Sequence, residues 1–363
     1  MRVSVRQSYA LAKNADIFYH SKKEPLRIWS WTGVLLPTLL TLPICASIAL
    51  DPRHDDSSVF LYVGKRWAKG ELPYLQNFDN KPPGIFALIA FLSNLGASLW
   101  WIALAQFVFV VGTILGVSAI LKQMGAPRRA VLFGTLCSAL AVNLPFYSPA
   151  NMTESYMNCP MVLSMLFFLW ALDSHRFRDF FLAGLCAGLA FMFKPFGLSA
   201  LLAQAAFLLM YAIRRRGTRS SLVAVCAIFL GAAVAWTPLI VYFWRHGALK
   251  ELLDASFLYN VYYGLSSTYS LTSLRSAIKI PGMLAIHLIP VSTMVACLIV
   301  GSYQAYKSRT VLFARRRQMW ALISLWSAFG LLLVLTAGRG YEQYFLIADA
   351  DACVGRRVVL LVE

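Results

Sequence analysis

Charged side chains of both signs concentrate in one stretch of the chain, residues 55–84, directly after a long apolar run. Asp55 and Asp56 open this stretch, and Asp79 and Lys81 stand near its end, before a Pro-Pro-Gly turn. A positioned carboxylate can act as a general base, typically accelerating proton removal about 10²–10⁴-fold. An ordinary solvated loop with two neighbouring acids is the alternative interpretation.

Three further charged residues stand where apolar runs end or break. Glu154 follows the third apolar run, Lys194 precedes a proline inside the 180–213 run, and Arg339 lies in a Gly-Arg-Gly sequence. A lysine at a broken helix and at membrane depth is costly unless it has a partner. Each of the cations could instead extend its ammonium or guanidinium group to the headgroups.

The chain shows no pattern typical of a metal centre. His54 and His246 lack acidic or cysteine partners at ligand spacing, and most of the 7 cysteines lie inside apolar runs without a CxxC motif. The cysteines are therefore interpreted as small core residues. We expect no cofactor and no metal site made of protein ligands, and a divalent cation stays an open alternative.

The elements that must position these residues are transmembrane helices. Hydrophobic residues make up 59% of the 363 residues and charged ones only 13%, far from the roughly 25% typical of soluble domains. The composition therefore predicts an all-α polytopic membrane protein. The first run, 28–50, is longer than the apolar part of a signal peptide and is interpreted as a retained helix. Nine spans are predicted at 28–50, 99–121, 130–147, 156–172, 180–193, 196–213, 221–244, 280–305 and 318–337.

The distribution of charge predicts which side of the membrane each loop faces. The net charge of +17 lies mostly in short basic clusters that these nine spans place on one side, which identifies that side as the cytoplasm. Membrane topology therefore explains the basic composition better than nucleic-acid binding does. Most carboxylates fall on the opposite side, in loops 51–98, 148–155 and 245–279. Residues 84–97 are too short to span and indicate an interfacial or re-entrant helix.

Three short motifs in the first outer loop, 51–98, follow one another in a specific order. They are Asp56…Phe60-x-Tyr62-x-Gly64, Gly70-x-x-Pro73-Tyr74 and Asp79-x-Lys81-Pro82-Pro83. Weaker matches are Thr153-Glu154, Lys194-Pro195 and Gly338-Arg339-Gly340-Tyr341. This pattern resembles the GT-C type glycosyltransferases that use polyprenyl-phosphate sugars, including the dolichyl-phosphate-mannose protein mannosyltransferases and the aminoarabinose transferases.

The resemblance implies a GT-C-like fold and transfer of a sugar from a polyprenyl (undecaprenyl or dolichyl) phosphate to an acceptor hydroxyl at the outer face, with inversion. The acceptor would be a lipid, a glycan or a protein, and membrane lipids would surround the enzyme. The implied base is Asp56, with its neighbour Asp55 as the alternative assignment and Glu154 as a second carboxylate. The resemblance further suggests three ligands for the donor phosphate, Lys81, Lys194 and Arg339. It also suggests three residues that contact the substrate, Tyr62, Asp79 and Tyr341.

Two other functions are compatible with the sequence. A transporter or flippase of an anionic lipid or solute would place ionisable residues at mid-membrane on broken helices. A non-catalytic remnant or assembly subunit is the third possibility.

The predicted organisation is a cytoplasmic segment 1–27, a transmembrane catalytic domain 28–345, and an atypical segment 346–363. Because 346–363 combines acids and arginines that a spanning helix tolerates poorly, we expect a truncated or frame-shifted end.

Overall fold

A computed structural model describes residues 55–96, 98–143, 151–215, 218–266 and 314–336, with isolated residues 39, 41–43, 45–47, 49, 299 and 303. Within these ranges the regular elements are helices, apart from one isolated bridge between Pro73 and Asn77. The helices are α1 Asp55–Ala68, α2 Gly84–Leu95, α3 Leu99–Gln123, α4 Arg128–Asn143, α5 Thr153–Ser174, α6 Phe177–Phe193, α7 Leu198–Arg215, α8 Thr218–Arg245, α9 Leu249–Leu253, α10 Tyr259–Ser266 and α11 Ala314–Thr336.

Four of the described helical segments are long and apolar enough to cross a membrane. They are Leu99–Gln123, Thr153–Ser174, Pro195–Ile213 and Arg219–Arg245. These segments match predicted spans, so the interpretation as an all-α membrane protein is confirmed. The described parts of the predicted spans 130–147, 180–193 and 318–337 lie in α4, α6 and α11. Spans 28–50 and 280–305 lie outside the described ranges, and the count of nine stays a prediction.

The hairpin predicted at the Lys-Pro sequence is present as α6 and α7. α6 ends at Phe193, Lys194 adopts an extended conformation with φ −159° and ψ 144°, and a 3₁₀ turn at Pro195–Gly197 leads into α7. A proline disfavours helical conformation in the residue before it, which explains why the helix stops there. At the break, the main-chain N–H of Lys194 donates to the Ala190 carbonyl oxygen, and the Lys194 carbonyl oxygen accepts from Gly197.

Small residues bring α6 and α8 into close contact. A Cβ atom added at Gly184 would lie only 1.9 Å from the carbonyl oxygen of Ile228, and one at Gly231 would lie 2.1 Å from that of Phe181. Gly188 similarly faces Ala232. Small residues let helix backbones approach closely, which is how packing stabilises helix association in a membrane. This contact fixes one wall of the helical bundle.

Two segments predicted as outer loops contain helices that the sequence patterns did not predict. α1 occupies the beginning of loop 51–98, and it packs on α2 where Gly64 meets Ile89. Loop 245–279 contains α9, a π-helical turn at Asp254–Leu258, and α10. The predicted helix at 84–97 is present as α2, whereas its position relative to the membrane interface stays a prediction.

Candidate functional site

Asp56 lies in the first turn of α1 and is half-buried. Phe60 follows one helical turn later on the same face, and it is buried. The Nζ atom of Lys81 lies 5.7 Å from the centre of the Phe60 ring. The fold therefore brings the base predicted from the sequence and one predicted phosphate ligand to the same face of α1.

A network of hydrogen bonds holds the turn that carries Lys81. The main-chain N–H of Lys81 donates to Asp79 Oδ1 at 2.9 Å, and the hydroxyl group of buried Tyr74 donates to the Lys81 carbonyl oxygen at 2.7 Å. The ammonium group itself is less firmly bound, because it lies 3.8 Å from Asp79 Oδ1 and 3.3 Å from Asn80 Oδ1. The Lys81 side chain remains 23% exposed. Its backbone is therefore fixed, while its charge stays accessible.

Burial raises the pKa of Tyr74 well above its usual value, and the nearby charge of Asp79 adds to this effect. Tyr74 also has a positive φ of 71°, an uncommon conformation for a residue other than glycine. A neutral hydroxyl group can donate to a carbonyl oxygen, whereas a phenolate cannot. The hydroxyl group of Tyr74 therefore stays neutral, and able to donate to Lys81, even at alkaline pH.

The turn after Lys81 packs directly against the end of α6. A Cβ atom added at Gly84 would lie 2.6 Å from the carbonyl oxygen of Met192, so only glycine fits this approach without a backbone shift. Met192 lies two residues before Lys194. The first-loop turn and the α6–α7 break are therefore neighbours, although more than a hundred residues separate them in sequence.

At the α6–α7 break, Lys194 forms a buried ion pair with Glu154 in the first turn of α5. Their side chains are only 6% and 1% exposed, respectively. The hydroxyl group of Thr153 donates to the other carboxylate oxygen, Glu154 Oε2, at 2.9 Å. Asp56 attracts and Lys81 repels the charge of Lys194, so all four charged groups belong to one electrostatic cluster.

Part of the chain matches a known protein family. Residues 80–242 match the family of dolichyl-phosphate-mannose-protein mannosyltransferases. The predicted resemblance is confirmed over this segment, which is somewhat less than half of the chain. No curated protein matches the chain. Together with the apolar helices, the family match supports a membrane-embedded glycosyltransferase.

The segment that matches the mannosyltransferase family contains only part of the candidate site. Lys81, Glu154 and Lys194 lie inside it, whereas Asp56 and Asp79 precede its first residue. The contacts of Lys81 with Asp79 and with α1 therefore connect the matched segment to the candidate base. This connection is visible only in the three-dimensional structure.

Of the remaining residues predicted from the sequence, only Tyr62 can be compared with the cluster, and it lies apart from it. Tyr62 lies on a different face of α1 from Asp56, is 56% exposed, and has the Arg66 guanidinium carbon 5.9 Å from its ring centre. Asp55 begins α1, which gives its position but not its contacts. Arg339 and Tyr341 lie outside the described residues, and their roles stay predictions.

Residues of α10 contact the loop between α1 and α2. The Asn260 amide on α10 donates to the Asn80 carbonyl oxygen at 2.8 Å, and the rings of Phe78 and Tyr259 lie 5.2 Å apart. α10 therefore packs against the loop that contains Asp79 and Lys81.

The acids of the cluster do not form a metal centre on their own. Within the described ranges, no three His, Cys, Asp or Glu side chains come close enough together to hold a metal ion. Instead, the arrangement combines one half-buried carboxylate, one accessible ammonium group and one buried ion pair. These groups can accept a proton and stabilise an anion within the same small region.

Proposed function

We propose that this protein is a membrane glycosyltransferase that moves a sugar from a polyprenyl monophosphate to an acceptor hydroxyl group. The observation that carries the proposal is the proximity of Asp56, Lys81 and the Glu154–Lys194 pair in a chain whose residues 80–242 match the mannosyltransferase family. A base beside an accessible cation is the minimum that this reaction needs. The acceptor is a lipid, a cell-envelope glycan or a protein.

The proposed reaction is a single displacement at the anomeric carbon. The acceptor oxygen attacks this carbon while Asp56 accepts the hydroxyl proton, and the bond from the anomeric carbon to the phosphate oxygen breaks. The electron pair leaves with the phosphate, whose additional negative charge Lys81 stabilises. Attack from the face opposite the leaving group inverts the configuration. Preorganised charge at the leaving group is usually the larger catalytic contribution, and the base adds to it.

Charge distribution along α6 supports an outer location for the site. The α5–α6 turn contains Arg176 and Arg178, and the Arg178 side chain is 73% exposed. Basic residues accumulate on the cytoplasmic side of membrane proteins. Lys194 and the start of α5 lie at the opposite end of these helices. If the α5–α6 turn is cytoplasmic, the Glu154–Lys194 pair faces the outer side.

The first test is transfer of radiolabelled sugar from synthetic polyprenyl phosphate sugars by purified protein in bilayers. Asp56→Asn keeps the shape of the side chain but removes the base, so we expect a loss of about 10²–10⁴-fold in kcat. Asp254→Asn, an acid in the π-helical turn, serves as the matched control and should retain activity. Transfer by Asp56→Asn at the wild-type rate would exclude Asp56 as the base.

A further inference from the structure

The Glu154–Lys194 pair differs from the other charged groups of the site because its two side chains are buried and contact each other. Lys194 contacts one oxygen of Glu154, and Thr153 donates to the other at 2.9 Å. The ring of Phe196 lies 5.3 Å from Lys194 Nζ. The Lys194 side chain is only 6% exposed, so a donor phosphate has little access to this ammonium group.

Lys81 presents the opposite situation. Its ammonium group lies 3.8 Å from Asp79, which is longer than a hydrogen bond, and its side chain is 23% exposed. A phosphate could therefore approach Lys81 without breaking a buried ion pair. The two lysines predicted as phosphate ligands consequently have different positions in the site.

On the basis of the proposed function, we propose that Glu154 and Lys194 form a positioning pair. This pair holds the turn that carries Lys81 in place and does not contact the donor itself. The pair ties the α6–α7 break to the first turn of α5. The end of α6 in turn supports the first-loop turn, because Met192 packs on Gly84 at backbone distance. Lys81 stands three residues before Gly84, so a shift of the break displaces the phosphate ligand.

The pair can be tested with a double-mutant cycle that uses Glu154→Gln, Lys194→Met and the combined variant. Removing one partner of a buried ion pair leaves an uncompensated charge, whereas removing both does not. We expect each single variant to bind a fluorescent polyprenyl monophosphate about 10-fold or more weakly, and the double variant to regain most of that loss. Affinity is measured by equilibrium binding, without turnover, in nanodiscs.

Binding is measured well below the unfolding temperature of each variant, which separates positioning from general stability. A pair that only stabilised the fold would lower the unfolding temperature of the single variants but leave the Kd for the lipid phosphate unchanged. Lys194→Arg, which keeps the positive charge, should recover part of the affinity lost in Lys194→Met.

Three results would overturn the inference. The first is a double variant that binds as weakly as Lys194→Met, because this would show that Lys194 contacts the phosphate directly. The second is an unchanged Kd in both single variants. The third is a wild-type protein that does not bind polyprenyl phosphate, which would overturn the proposed function as well. Asp56→Asn should bind normally without transferring sugar, so failure of the base assignment is distinguishable from failure of the positioning pair.

Discussion

Substitution of Lys81 by methionine gives a direct test of the donor-phosphate site. Methionine keeps an unbranched side chain of similar length and removes only the charge. The turn itself should survive, because its hydrogen bonds use the main-chain N–H and carbonyl groups of Lys81, with Asp79 and Tyr74 as partners. Changes in donor binding can therefore be attributed to the missing ammonium group.

The expected magnitude follows from the exposure of this ammonium group. Two unit charges about 4 Å apart attract by about 4 kcal/mol at an effective dielectric constant near 20. The side chain is 23% exposed and Asp79 lies 3.8 Å away, so loss of hydration and competition by this carboxylate reduce the net effect. A hydrogen bond to a charged group contributes about 1.5–3 kcal/mol. This corresponds to a roughly 10–150-fold weaker affinity for the lipid phosphate.

The assay compares the Kd for a polyprenyl monophosphate and the kcat/KM for the donor in three variants. Lys69→Met is the matched control, since it removes the same charge from an exposed position just after α1. Lys81→Arg should retain more affinity than Lys81→Met because the positive charge remains. Equal weakening by Lys69→Met and Lys81→Met would show that only the net surface charge matters. Unchanged binding by Lys81→Met would refute the assignment of Lys81 to the phosphate.

Two further predictions concern the scaffold. Gly184→Ala should lower the thermal inactivation temperature, because its Cβ would lie 1.9 Å from a backbone carbonyl oxygen. Gly112→Ala is the control and should be tolerated better, because its Cβ would meet only the movable Cys159 Sγ at 2.6 Å. Hydrogen bonds from Asn77 and Arg66 lower the pKa of Glu71 in the folded protein. These bonds therefore stabilise the folded loop above the pKa that Glu71 has in the unfolded chain, and this stabilisation is lost as the pH falls through the pKa of the folded state. Protection factors for hydrogen exchange in the α1–α2 loop, corrected for the intrinsic pH dependence of exchange, should therefore fall on acidification. Asn77→Ala should weaken this dependence, and identical pH profiles of the protection factors would contradict it.

The length of apolar runs was sufficient to predict α3, α5, α7 and α8, because a bilayer requires about 20 apolar residues for each crossing. It was not sufficient for α1. This helix is 14 residues long and buries one face against α2, while its other face carries charged and polar residues. Its apolar residues therefore do not form a continuous run. The sequence shows the motif that lies within α1 but does not indicate that this segment is helical.

Candidate residues could be identified singly, but their partners could not. The sequence indicated that Lys194 needs a compensating group, because a charge at a broken helix is costly in a membrane. Glu154 lies 40 residues earlier, and no local spacing rule connects the two. The pairing depends on how α5 packs against α6. Similarly, the contact between Asn260 and Asn80 joins positions 180 residues apart.

The two ends of α6 show why membrane topology does not account for Lys194. Arg178 near the first end is 73% exposed and lies 3.4 Å from Asp179, as expected for a cation that only determines orientation. Lys194 just beyond the second end is 6% exposed and bound by an equally buried carboxylate. Burying such a pair costs desolvation energy that an apolar pair of similar size would avoid. A charge pair buried inside the protein contributes little to orientation, so we expect its benefit to come from the geometry that it imposes on the neighbouring turn.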